Sequence, residues 1–119
     1  MRTIAELRGL RFPDEYVVKM FFKEGLHKAP GIVLEMGCGN GNNLLLFAAF
    51  GWSVTGVDYD AAALEDAKFN LEGQGDWIEC DLSKSLPPMS APGYPGFRLR
   101  QAWPCMVDHT ACCMASRNG

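Results

Sequence analysis

The sequence predicts an α/β fold: three layers around an incomplete parallel sheet of about three strands, with an irregular C-terminal tail. Three observations carry this. Short apolar runs alternate with helix-length segments over residues 31–82. The first run opens into a glycine-rich bend, and the second and third each end in an aspartate. Beyond residue 82 the pattern stops: residues 83–119 hold five of the seven prolines and no isoleucine, a composition that disfavours internal strands and helices.

Ile4, Leu7 and Leu10 recur at helical spacing, which predicts a short helix over residues 3–10. Phe12-Pro13-Asp14-Glu15 is a helix start, with proline and acidic residues suited to a first turn. Tyr16, Val17, Met20 and Phe21 supply its apolar face, and Pro30-Gly31 stops it. Ile32-Val33-Leu34-Glu35-Met36 is a nearly continuous apolar run, the mark of a strand covered on both faces. Residues 42–50 form a compact apolar helix ended by Gly51. Ser53-Val54-Thr55-Gly56-Val57 is a second strand, ended by Asp58. Asp60 caps a helix that runs to about Asn70 and buries Leu64, Ala67 and Leu71. Trp77-Ile78-Glu79-Cys80 is a third strand, ended by Asp81. Strand, helix, strand, helix, strand is the order of right-handed parallel units. The expected organisation is an N-terminal helical segment (1–30), an α/β unit (31–87) and an irregular or disordered tail (88–119).

The chain has 119 residues, enough for one core. Hydrophobic residues at 48% and charged residues at 21% fit a globular protein, and no apolar run reaches the ~20 residues of a membrane helix. Without an apolar signal core, a cytoplasmic location is expected. Net charge is −3, but residues 29–86 carry two basic against nine acidic residues. That segment repels nucleic-acid backbones, so no nucleic-acid partner is indicated. The five cysteines show no CxxC spacing, which fits reduced thiols. Cys105, His109, Cys112 and Cys113 lack the paired-ligand spacing of a zinc site, so no metal is expected.

The chemistry-bearing constellation is Glu35-Met36-Gly37-Cys38-Gly39-Asn40-Gly41, which follows a strand and opens a helix. Glycines permit the sharp bend and bring backbone N–H groups close to a ligand. A side chain at Gly37 or Gly39 would occupy the ligand's space. A carboxylate at the end of the next strand, Asp58, can accept hydrogen bonds from both hydroxyls of a ribose. Ligands of open α/β sheets bind outside the carboxyl ends of the strands. Glu35, Asp58 and Asp81 are therefore expected at one cleft. Cys38 and Cys80 read as small packing residues rather than nucleophiles.

With these residues in view, the sequence resembles the class I S-adenosylmethionine-dependent methyltransferases, which have a Rossmann-like sheet. The resemblance rests on Val33-Leu34-Glu35-Met36-Gly37-Cys38-Gly39-Asn40-Gly41, Val54-Thr55-Gly56-Val57-Asp58 and Ile78-Glu79-Cys80-Asp81-Leu82, and covers about residues 30–87. The dinucleotide form G-x-G-x-x-G would require glycine where Asn42 stands. The resemblance implies S-adenosylmethionine as cofactor. Gly37, Cys38, Gly39, Asn40 and Gly41 would hold its methionine part, with Glu35 orienting that part through the amino group. Asp58 would bind the ribose hydroxyls, with Tyr59 beside the adenine. Asp81 would face the adenine amino group, and the backbone at Cys80 and Leu82 would frame the ring. The segment from Arg11 to Phe22 resembles the one that precedes the first strand in such proteins and covers the cofactor.

The family's reaction passes a sulfonium methyl group to a nucleophile. The acceptor is unidentified, and no residue is named as a catalytic base, since neither His27 nor His109 lies in a matching motif. Relatives continue past the Leu86-Pro87 position with an aromatic-Asp pair and a fourth strand, and Pro88 onward shows neither. The expectation is a fragment, truncated or frame-shifted after the third strand, whose exposed sheet edge favours self-association. The competing functions are a nicotinamide-dependent (NAD) Rossmann oxidoreductase and a non-catalytic remnant that keeps the shape without turnover.

Overall fold

The structure is a computed structural model that describes residues 2–81 and, for the backbone, residues 101–103 and 112–117. Three parallel strands form its centre: β1 (Gly31–Met36), β2 (Ser53–Asp58) and β3 (Asp76–Glu79). Between and before them lie α1 (Glu15–Lys23), α2 (Asn42–Ala49) and α3 (Ala61–Asn70). Val33 sits opposite Val54 and Glu35 opposite Gly56 on β1 and β2, while Asp58 pairs with Glu79 across β2 and β3.

Neighbouring residues of β1 and β2 point to opposite faces and are buried on both, as near-continuous apolar runs require. Val33 and Val54 join one cluster with Val17, Met20 and Phe21 of α1, Leu44 and Phe47 of α2, and Leu64 of α3. The described helices thus supply one of the two helical layers the sequence predicts. Leu34, Thr55 and Val57, on the opposite face, are buried as well.

Local chemistry explains each helix. Asp14 caps α1 by accepting from Tyr16 N at 2.9 Å, and Asp60 caps α3 by accepting from Ala62 N at 2.9 Å. Gly41 precedes α2 in the left-handed region at φ 80°, and Gly51 follows it at φ 86°. Phe21 meets Phe47 edge-to-face with ring centroids 4.9 Å apart, and Phe47 meets Trp52 in the same way at 5.3 Å. The Trp52 indole N–H donates to Leu26 O at 2.9 Å, which gives this buried polar group its partner.

Two expectations need correction. The helix over residues 3–10 is a single 3-10 turn, Ile4–Glu6, closed by Thr3 N donating to Glu6 Oε2 at 2.8 Å. Leu7 is buried, whereas Ile4 and Leu10 are exposed. The apolar spacing does not reflect a helix because residues 8–14 are instead held against the glycine bend, as described below. In the tail, expected to be irregular, the segments β4 (Gln101–Trp103) and β5 (Cys112–Arg117) are strands. β5 runs antiparallel along the free edge of β1, giving the order β3-β2-β1-β5-β4 among the described residues. An unpaired strand edge offers a row of backbone donors and acceptors. An extended segment can satisfy them with main-chain groups alone, so no β-branched pattern need announce it. Cys80, expected within the third strand, lies just past its end.

Candidate functional site

The carboxyl ends of β1 and β2 meet the N-terminus of α2. Between β1 and α2 the chain bends through Gly37 (φ 74°), Gly39 (φ 55°) and Gly41 (φ 80°), all in the region that side chains resist. The bend is anchored from below: Gly37 N and Cys38 N both donate to Val57 O, at 2.7 and 3.0 Å. Gly39 N donates to Asp58 Oδ2 at 2.8 Å, and Gly41 N to Cys38 O at 3.0 Å. Four amides of the bend are therefore used within the protein. These bonds fix the shape of the bend. A Cβ built on Gly39 would meet nothing within 4 Å, so that position faces open space.

Two buried carboxylates flank the bend. Glu35, on β1, is 1% exposed and accepts from Asn43 Nδ2 at 2.8 Å through Oε2. Asp58, at the end of β2, is 8% exposed and also accepts from Asp60 N at 2.9 Å through Oδ1. These bonds take one lone pair on each Asp58 oxygen and leave the second for another donor. Cys38 lies between the carboxylates. Burial first, then the charges of Glu35 and Asp58, push its thiol far above the ordinary range. It is a packing residue, as the sequence predicts. Its Sγ, with Trp77, fills the space a side chain at position 56 would need: a Cβ on Gly56 would lie 2.6 Å from Sγ and 2.5 Å from Trp77 Cζ3.

Over the bend runs a strap of residues 8–14, fastened by asparagines. Asn40 Nδ2 donates to the carbonyls of Arg8 and Leu10, both at 2.6 Å. Asn42 Nδ2 donates to Phe12 O at 2.7 Å, and Asn43 Oδ1 accepts from Asp14 N at 2.8 Å. Asn70, from α3, donates to Arg8 O and Asn40 O and accepts from Arg8 N at 2.8 Å. Gly9 permits the closeness, since a Cβ there would sit 2.9 Å from Asn40 Nδ2. Of these asparagines only Asn40 is anticipated from the sequence. Asn43 and Asn70 are 4% and 2% exposed. Their signal is a polar residue on an otherwise apolar helical stripe, which demands a partner when buried.

A methyltransferase-domain family matches residues 33–92, about half the chain. The chain belongs to that family. The match starts in β1 and spans the glycine bend, Asp58 and Asp81, the motifs that carry the resemblance. No curated protein matches the chain.

The remaining predicted positions of this methyltransferase domain are distributed as follows. Tyr59 is 75% exposed beside Asp58. Cys80 N donates to Asp58 O at 2.9 Å, so the backbone after β3 reaches the end of β2. Asp81 is exposed at the same strand end. Leu82 lies outside the described residues, as do the side chains of Cys105, His109, Cys112 and Cys113. His27 packs among Phe21, Phe22 and Phe50, beyond the end of α1 opposite to Asp14. Among the described residues, no helix is long and apolar enough to cross a membrane.

Proposed function

We propose that the chain is the cofactor-binding portion of an S-adenosylmethionine-dependent methyltransferase that methylates a nucleophile of unidentified structure. The observation that carries this reading is the pair of buried carboxylates, Glu35 and Asp58, on either side of a glycine bend with an open position at Gly39. The cofactor carries a positive sulfonium and ammonium, and both suit a site of negative potential. A dinucleotide would bring a pyrophosphate to a bend flanked by carboxylates, with four of its amides already used. The same geometry therefore disfavours the nicotinamide alternative.

In this reading Glu35 accepts from the cofactor's ammonium, and the remaining lone pairs of Asp58 accept from the ribose hydroxyls. The bend at residues 37–41 leaves room for the methionine chain. Tyr59 lies along the adenine, and Asp81 with the backbone at Cys80 and Leu82 borders the ring. When bound, the cofactor supplies a methyl carbon already activated by positive sulfur. The chain's own contribution is alignment and exclusion of water, to which the strap over the bend contributes. A cytoplasmic setting and self-association through a sheet edge belong to the same reading.

Calorimetric titration of the purified chain with S-adenosylmethionine, S-adenosylhomocysteine and NAD tests it. Binding of the first two without the third is expected. Preference for NAD, or no binding of any of them, overturns the proposal.

A further inference from the structure

We propose that Asn43 is a positioning residue: it aims Glu35 at the cofactor's amino group by tying that carboxylate to the first turn of α1. The inference rests on the cofactor reading above and assigns a role to a residue outside its motif.

Asn43 is the second residue of α2, a helix otherwise built of leucine, phenylalanine and alanine apart from Asn42. Asparagine is a poorer helix former than those neighbours, and a buried amide must find partners. Both ends of this one do. Nδ2 donates to Glu35 Oε2 at 2.8 Å, and Oδ1 accepts from Asp14 N at 2.8 Å. The two bonds have opposite polarity and share one rigid amide plane. Aspartate at this position could accept from Asp14 but not donate to Glu35, and leucine could do neither. The bond to Glu35 is charge-assisted and buried, so it fixes one oxygen of the carboxylate and thereby the plane of the other. The bond to Asp14 fixes the amide itself, because Asp14 is the N-cap of α1 and lies at the end of the strap. Asn43 thus joins three features: the strand that carries Glu35, the helix that follows the bend, and the segment that covers it.

Two ligands separate a positioning role from a merely structural one. S-adenosylmethionine carries the amino-acid group that Glu35 would hold. 5′-Methylthioadenosine has the same adenosine and sulfur but lacks that group. Both are titrated against the wild type, Glu35→Gln, Asn43→Ala and the double variant. Each single change is expected to weaken S-adenosylmethionine binding roughly 10- to 100-fold, the scale of a buried hydrogen bond to a charged group. Methylthioadenosine binding should stay within about twofold. The double variant should bind S-adenosylmethionine no more weakly than the worse single variant, because both changes remove one interaction. Asn43→Leu, which fills a similar volume but makes neither bond, should show the same ligand pattern if Asn43→Ala folds poorly. Equal loss of both ligands in the Asn43 variants, or fully additive losses in the double variant, overturns the proposal. Failure of the wild type to bind either ligand removes the cofactor reading as well, whereas an unaffected Glu35→Gln removes the role of Glu35 and with it that of Asn43, and leaves the cofactor reading standing.

Discussion

The backbone N–H of Gly39 donates to Asp58 Oδ2 at 2.8 Å, joining the bend after β1 to the carboxylate that closes β2. These residues lie 19 positions apart, and the parallel register of β1 and β2 brings them to one edge. One hydrogen bond therefore serves both the shape of the bend and the orientation of the carboxylate. Asp58→Ala is expected to weaken S-adenosylmethionine binding about 10- to 100-fold, since the ribose and the bend lose the same acceptor. Asp58→Asn, which keeps the shape but not the charge, should lose less. Calorimetry on both variants gives the comparison, and unchanged affinity in each would place the cleft elsewhere.

Gly39 offers a way to separate ligand sterics from folding. A methyl group there meets no protein atom within 4 Å, so the protein bears only the left-handed strain, on the order of 1–2 kcal/mol. Gly39→Ala should accordingly melt a few degrees lower while binding S-adenosylmethionine far more weakly. Gly39→Val should not bind it. Thermal melts with and without ligand read both effects, and a Gly39→Val variant that is still stabilised by ligand contradicts the open-cradle interpretation.

Gly56 is the opposite case, where the obstruction is the protein itself. A Cβ at that position falls 2.5 Å from Trp77 Cζ3 and 2.6 Å from Cys38 Sγ. Gly56→Ala should destabilise the fold by about 1–3 kcal/mol or more through overpacking. Urea unfolding measures it, and pairing the change with Trp77→Leu should recover part of the loss.

The thiol of Cys38 is held neutral by burial and by Glu35 and Asp58. Its folded pKa lies above its unfolded value, so the proton is bound more tightly in the folded state. The associated stability is complete below the unfolded pKa and declines as pH rises past about 9. Unfolding free energies at pH 7 and pH 10 should differ in the wild type and differ less in Cys38→Ala. Alkylation followed by peptide mass analysis should label the partly exposed Cys80 well before the buried Cys38.

Much of the fold was legible because the relevant signals are local. The apolar run of β1, the cap at Asp60 and the glycines at 37, 39 and 41 each follow from short-range sterics and burial. The strap was not legible. Ile4, Leu7 and Leu10 imitate a helix, but residues 8–14 give their backbone groups to Asn40, Asn42, Asn43 and Asn70, which lie 29 to 62 positions from their partners, a separation that no local spacing encodes.

The sequence by itself determined the α/β order, the glycine bend, and the carboxylates that end or border each strand, since every one of these is set within a few residues. Only the tertiary structure decided which donors those carboxylates receive. Register across β1 and β2 put Gly39 against Asp58, and helix packing put Asn43 between Glu35 and Asp14. Pairing of β5 along β1 was likewise a tertiary outcome, because main-chain hydrogen bonds close a sheet edge without leaving a side-chain pattern to read.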